Sequence, residues 1–459
     1  MITRSQRILL LCAATLAAFL MPFMGSAVNV ALPAIGQTFS MTALSISWVA
    51  SAFLLAAAIT LLPAGRLADL LGRRTVFLSG AVIFAAGSFF SLFPQTQAVF
   101  IGLRALQGVG AAMTFSTGTA MLISAYRPEI RGRILGINIA GVYIGLTVGP
   151  FIGGLLVQHL GWKSIFALTS LMSLAVALCA CGIGREEQPP ARGEPFDFSG
   201  AALYAVALLM LMYGISQLPS PAAWALCAAG LVCLVFFVRK QLEKAFPLLN
   251  IRLFQTNRVF AFSNLAALIN YCATFAVTFI LSLYLQHVKG LSPFEAGTVL
   301  VVEPFLQAVF SPLAGRLSDR YEPRVIASAG MALTVTGLLC LSFLAAETPL
   351  GHIAACLAVL GIGFALFSSP NVNAIMSSVD NRYYGVASAT LATMRMVGQM
   401  LSMGIAMLVF AVILGEKSLS AETGGRLILS GRLIFGILSV TCFLGIFASL
   451  ARGRMHPRG

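Results

Sequence analysis

Charged side chains are scarce in this chain: 10% of its 459 residues are Asp, Glu, Lys or Arg, against 59% hydrophobic ones. Soluble domains carry about 25% charged residues, so no soluble fold could cover this apolar surface. Acids are rarer still, 15 against 29 bases. The basic excess is dispersed over many short loops, which argues against a nucleic-acid footprint. Histidine is nearly absent, and His159, His287, His352 and His456 sit at loops or in the tail without ligand spacing, which excludes a metal site. The nine cysteines contain no CxxC pair, and the nearest two, Cys179 and Cys181, lie in an apolar run; they read as small core residues. No phosphate-cradling P-loop occurs, which excludes direct ATP drive. No cluster of His, Asp or Cys lies near a polar segment, so the chain is not expected to be an enzyme. It also lacks the pore loop or ring of charges of a channel.

What remains is apolar sequence in membrane-length segments, with a mean hydropathy of +0.93. Windows long enough to cross a hydrocarbon core of about 30 Å fall at 8–34, 44–65, 75–94, 98–121, 133–158, 163–183, 198–217, 222–238, 259–286, 293–315, 324–345, 351–372, 384–414 and 432–451. The first follows Arg4 and Arg7 but lacks a small-residue cleavage site, so it reads as a span and not as a removed leader. With a cytoplasmic N-terminus, most Lys and Arg fall in cytoplasmic loops. The exceptions are Lys163, Lys289, Lys417, Arg426 and Arg432 in outer loops, and Arg104 and Arg395 within spans. That asymmetry satisfies the positive-inside rule, with both termini cytoplasmic, and puts Trp48, Trp162 and Trp224 at the outer interface.

An internal repeat organises the map. AGRLADLLGRR, Ala64 to Arg74, recurs as AGRLSDRYEPR, Ala314 to Arg324. Two equivalent six-helix halves would leave such a trace. The division expected is an N-terminal six-helix bundle at 1–184, a linker with two further spans at 185–258, and a C-terminal six-helix bundle at 259–459. The linker opens on the Pro-rich, charged stretch GREEQPPARGEPFD, and a second basic loop runs from Arg239 to Arg258.

These segments resemble the major facilitator superfamily, and the six-plus-two-plus-six arrangement is similar to its fourteen-helix drug:proton antiporter branch. The resemblance covers almost the whole chain and implies an all-α membrane fold. GRLADLLGRR matches the family's loop signature through Gly65, Asp69, Gly72, Arg73 and Arg74. It calls for a tight turn whose acid and bases pair across the two halves in one conformation and release in the other. In the second copy Gly315, Arg316 and Asp319 persist, while the following Gly and Arg are replaced around Tyr321 to Arg324, giving a weaker latch. IGLRALQGVGAA matches the family's Arg-containing helix motif through Arg104, Gln107, Gly108 and Gly110. A cation in a membrane helix faces a cavity or a partner, so two readings stand for Arg104: proton coupling at the substrate site, or hydrogen bonding to neighbouring carbonyls.

GVYIGLTVGPFIGG looks like the antiporters' signature. Gly141, Gly145, Gly149 and Gly153 recur every four residues on one face, permitting close helix packing, and Pro150 permits a bend. SAVNVALP, Ser26 to Pro33, is close to the branch's first-helix signature. It departs from it where the family usually has an acid, because this chain has Met24; Asn29 remains as a neutral polar contact. The one acid near the middle of any span is Glu303, about 14 Å from its helix start at 1.5 Å per residue. Desolvation there disfavours the charged form, so its protonation can respond to a proton gradient. Pro304 follows directly, and the helix can bend at the acid. Glu303 is therefore expected to take over the coupling or cation-binding role missing at Met24; a permanently protonated or Arg-paired structural carboxyl is the alternative. YGVASATLATMRMVGQ, again similar to the branch, sets Arg395 and Gln399 four apart on one face, where Arg395 either meets Glu303, lines the cavity or serves the structure. SSPNVN, with Pro370, Asn371 and Asn373, reads as packing between halves.

The expectation is proton-driven export of amphipathic small molecules or drugs across a bacterial inner membrane by alternating access. No cofactor is required, the partners are substrate, protons and lipids, and a monomer suffices. Substrate would meet Asn29, Met24, Gln107, Gln307, Arg395 and Gln399, with Glu303 and Arg104 handling the proton. Export of an endogenous metabolite, peptide or lipid, anionic in view of the two arginines, is the alternative.

Overall fold

The computed structural model describes residues 4–183, 191, 193–380, 384–415 and 423–453; the side chains of Pro128, Glu129, Gly132 and Asp319 also lie outside the described residues. The helices in chain order are α1 (Arg4–Thr38), α2 (Ala43–Leu71), α3 (Arg73–Phe90), α4 (Gln97–Ala125), α5 (Pro128–Leu160), α6 (Lys163–Cys181), α7 (Phe198–Ser216), α8 (Pro221–Glu243), α9 (Ile251–Thr256), α10 (Arg258–His287), α11 (Pro293–Leu300), α12 (Val302–Arg320), α13 (Pro323–Leu341), α14 (Leu350–Ser377), α15 (Tyr384–Ile413) and α16 (Gly424–Ala451). Among the described residues, thirteen helical segments are long and apolar enough to cross a membrane. Helix α3 falls short because its eighteen residues open on Arg73 and Arg74.

The repeat seen in sequence is a repeat of packing. α1 lies on α5, α2 and α3 lie on α4, and α6 lies on α1 and α3. In the second half α10 lies on α15, α12 and α13 lie on α14, and α16 lies on α10 and α13. The halves meet where α2 touches α15, where α5 touches α11 and α12, and where α1 touches α10.

Three expectations of the helix map need correction. The tenth span is two helices, α11 and α12, joined at Val301, and the last span begins at Gly424, so Arg426 and Arg432 lie inside α16 and not in an outer loop. Lys417 lies outside the described residues. The Arg239–Arg258 loop also carries the short helix α9, too brief to leave a periodic signal. α7 packs on α8, on α2 and on α15, and the Tyr204 hydroxyl donates to Ala58 O at 3.3 Å. Helix α7 therefore covers one seam between the halves, with α8 packed on it. Asp197 caps α7 from the linker, accepting from Gly200 N at 3.0 Å, Ser199 Oγ at 2.9 Å and Gln241 Nε2 at 2.7 Å. Burial pushes its pKa up, but these hydrogen bonds outweigh that and hold it at about 2.

The α5 glycines explain the tightest helix pair. A Cβ at Gly145 would stand 2.5 Å from Phe19 O, one at Gly149 2.7 Å from Ser26 Cβ, and one at Gly153 2.7 Å from Ala27 Cα. Only a missing side chain lets α5 lie this close to α1.

Candidate functional site

The end of the bundle that carries the Arg-rich α2–α3, α4–α5 and α12–α13 connections is called the basic end here. At the opposite end the halves are closed. Ser282 Oγ of α10 donates to Asn29 O at 2.6 Å and Gln286 Nε2 to Val30 O at 3.0 Å. A Cβ at Gly154 would stand 2.5 Å from Pro293 O, and Gly297 meets Pro150 O. Between the halves lies a cavity of about 1180 Å³. Its lining reaches the basic end through Ile123, Leu135, Gly315, Met376 and Tyr384, while toward the closed end it stops near Asn29 and Glu303. The cavity thus opens at the basic end.

Sequence expectations about this cavity divide. Asn29, Arg104, Glu303, Gln307, Arg395 and Gln399 line it. Met24 does not: it is fully buried in the hydrophobic core, so an acid at that position would have no water to meet in this conformation. Gln107 is also fully buried and away from the cavity, because its amide is committed elsewhere. Its Oε1 accepts from Arg104 Nη1 at 2.5 Å and its Nε2 donates to Ser88 Oγ at 3.0 Å. Arg104 further donates from Nε to Val49 O at 3.1 Å and lies 4.7 Å from the Phe53 ring centroid. This guanidinium ties α4 to α2 and α3, the carbonyl-bonded alternative for the residue, and it forms no ion pair with Glu303.

Glu303 stands in the first turn of α12. The break that exposes this turn follows from Pro304, which has no N–H to offer Leu300 O; the ladder resumes at Phe305 N, donating to Val301 O at 3.0 Å. The acid's backbone packs against α14 at Gly361, where a Cβ would collide with Glu303 O. Its carboxylate has neither a hydrogen bond nor an ion pair among the described residues. Arg395 of α15 is similarly idle: its Nε is buried without a hydrogen-bond partner, and its guanidinium lies 5.3 Å from the Tyr271 ring.

The turn motif makes the following contacts within its own half. Arg73 pairs with Asp69 at 3.2 Å and donates to Ala120 O at 3.4 Å. Arg74 donates to Ala180 O at 3.0 Å and Cys181 O at 2.8 Å, holding the end of α6. The turn itself is the single residue Gly72, whose φ of +102° is open to glycine. Gly65 and Gly315 face open space. The Arg73 and Arg74 contacts lie within the N-terminal half; the side chain of Asp319 lies outside the described residues.

Sequence reading missed the lining from α2 and α14, which supply Phe53, Phe364 and Ser368, and it missed Tyr143 of α5, which reaches Ser311 and Ser368 of the opposite half. It also missed Arg452. This cation is fully buried just after α16. It donates to Ser449 O at 2.9 Å, Ser449 Oγ at 2.5 Å, Asn371 Oδ1 at 3.1 Å and Ser263 Oγ at 3.4 Å. Asn371 therefore packs within the C-terminal half and not between halves, and Asn373 bonds Ser318 Oγ at 3.2 Å.

The sequence profile of the Major Facilitator Superfamily matches residues 14–403 and again 264–458. The chain is 28% identical to the riboflavin transporter RibZ of Clostridioides difficile over 97% of both chains. It is 30% identical to the cephamycin export protein CmcT of Amycolatopsis lactamdurans over 98% of this chain and 94% of that one. With the multidrug resistance protein Stp of Mycobacterium tuberculosis it shares 32% identity over 82% of this chain and 71% of that one. A bacterial homologue of the human lysosomal transporter Spinster, in an inward-facing and unoccupied conformation, superposes with a TM-score of 0.71 at 17% identity, covering 99% of this chain and 100% of that one.

Proposed function

Because the chain belongs to the Major Facilitator Superfamily and is a multi-pass membrane transporter, we propose that it works as a proton-driven exporter of amphipathic small molecules, of the fourteen-helix drug:proton antiporter branch. The observation that carries this reading is Glu303, an unpaired carboxylate at a helix break inside a large cavity. An ionisable group without a partner at membrane depth is a functional group by default. In this scheme the protein lies in a bacterial inner membrane with both termini and the basic end cytoplasmic, following the distribution of Lys and Arg. It works as a monomer without cofactor, and the bodies that rock are 1–184 and 259–459, with α7 and α8 riding on one seam.

The cycle follows from charge. In the open conformation substrate enters from the cytoplasm and occupies the cavity beside deprotonated Glu303. Rocking of the halves separates the α1–α10 and α5–α11 contacts and exposes the site outward. A proton from outside neutralises Glu303, weakens its hold on a cationic group and releases the substrate. Return to the cytoplasm and loss of the proton reset the site. Arg104, fixed by Val49 and Gln107, keeps a constant positive charge in the cavity wall.

Everted membrane vesicles with an imposed pH gradient test this. A panel of aromatic amphipaths including ethidium should collapse the gradient in the wild type and leave it intact in Glu303→Gln. Normal pH-dependent transport by Glu303→Gln would refute the coupling role. Arg395, idle in the same cavity, favours a second reading, export of an endogenous metabolite, peptide or lipid that carries an anionic group.

A further inference from the structure

Two charges in the cavity lack partners, and they have opposite signs. Glu303 on α12 and Arg395 on α15 both line the same space, and each has an amide one turn further along its own helix face, Gln307 and Gln399 respectively. None of the four side chains has a hydrogen-bond partner among the described residues, and the Nε of Arg395 is buried without one. Beside them stand Tyr271, under the Arg395 guanidinium at 5.3 Å, and Phe364, edge-on to Tyr271 with centroids 5.3 Å apart. The third charged residue of the lining, Arg104, is already bonded and is not available.

The geometry assigns this site to a zwitterionic substrate on an aromatic frame, whose ammonium group meets Glu303 and whose carboxylate or similar anion meets Arg395; this rests on the proton-antiport reading above. The reason is charge complementarity where water is displaced. A purely cationic ligand would leave the guanidinium desolvated and unpaired and add a second positive charge near it, whereas a purely anionic one would leave the carboxylate in the same position. A dipolar ligand compensates both, and the planar guanidinium forks onto a carboxylate with two parallel N–H donors. Tyr271 and Phe364 give its ring an offset or edge contact. The sign of coupling also requires the ammonium. A proton on Glu303 competes with a cation and drives antiport, whereas for a simple anion the proton would strengthen binding and turn the cycle into co-transport.

Calorimetric binding to the purified full-length chain, with three probes on one ring system, tests the assignment: 6-(aminomethyl)-2-naphthoic acid as zwitterion, 6-(aminomethyl)-2-naphthamide as cation and 6-methyl-2-naphthoic acid as anion. The zwitterion should bind about tenfold or more tightly than either relative, the gain expected of a charged hydrogen-bond pair. Arg395→Gln should erase its advantage over the cation, Glu303→Gln its advantage over the anion, and Arg395→Lys should keep the order. Each comparison is a ratio within one variant, and retained cation binding by Arg395→Gln reports that the site is still formed. Equal or tighter binding of the cation by the wild type, an unchanged ratio in Arg395→Gln, or no binding of any probe would overturn the proposal. The antiport reading fails separately, through proton-coupled flux in Glu303→Gln, so loss of one is distinguishable from loss of the other.

Discussion

Arg104 and Arg395 lie beside the same cavity, and each is stacked near an aromatic ring. Arg104 has Val49 O, Gln107 Oε1 and, through Gln107, Ser88 as partners; Arg395 lies over the Tyr271 ring and has no hydrogen-bond partner among the described residues. A cation in a membrane costs several kcal/mol unless bonded or hydrated, so the first is anchored by the protein and the second waits for something else to bond it. The pair teaches that depth in the membrane does not make a charge functional. What marks function is a charge whose hydrogen-bonding capacity the fold leaves unused.

That contrast can be broken by stability measurements. Arg104→Met removes a cation but leaves Gln107 Oε1 buried without a donor, and unfolding in detergent should show a loss of about 3 kcal/mol; a neutral result would mean Arg104 is as idle as Arg395. Arg452→Met at the C-terminal half's basic end should follow the same rule at about 2 kcal/mol, because Asn371 and Ser449 lose their donor. Arg395→Met forfeits one cation–π contact and relieves an unpaired nitrogen, so its stability should change by less than about 1 kcal/mol while accumulation of the zwitterionic naphthoate is lost. A large destabilisation with intact accumulation would reverse the assignment. Smallest of all, Arg66→Gln breaks the 2.5 Å pair with Glu194 at the rim, a partly exposed bridge, and should cost no more than about 1 kcal/mol in the same melt.

The sequence carried the spans, the repeat, the α5 glycine face and the bend at Pro304, because apolar length, glycine spacing and a proline's missing N–H are local properties. Glu303 was legible for the same reason: one acid in an apolar run stands out. The fate of Arg104 was not, since Val49 O is a backbone acceptor on another helix and every residue has one. Met24 looked like a cavity position by analogy with the family's acid, but its side chain is buried in the hydrophobic core. The cavity wall from α14 is built of Phe364, Ser368, Ser369 and Val372, small and apolar types that look like any packing face. The start of α16 was placed late because Arg426 and Arg432 lower the hydropathy of its opening turns, although Arg432 finds a backbone acceptor at Leu344 O. The break in the tenth span was visible as a bend and not as two helices, since periodicity continues through a single unpaired turn.

The central claim is that Glu303 carries the proton. Proteoliposomes containing the full-length chain separate binding from coupling, because exchange of labelled substrate across the membrane needs no net proton movement, whereas uphill accumulation does. With the tightest-binding of the three naphthalene probes, supplied at concentrations that saturate both proteins, Glu303→Gln should keep exchange within a few-fold of wild type and lose at least about tenfold of the accumulation driven by a pH gradient, as expected when one ionisable group couples the two fluxes. Accumulation by Glu303→Gln at the wild-type level, with the same dependence on the gradient, would contradict the account and move the proton to another group.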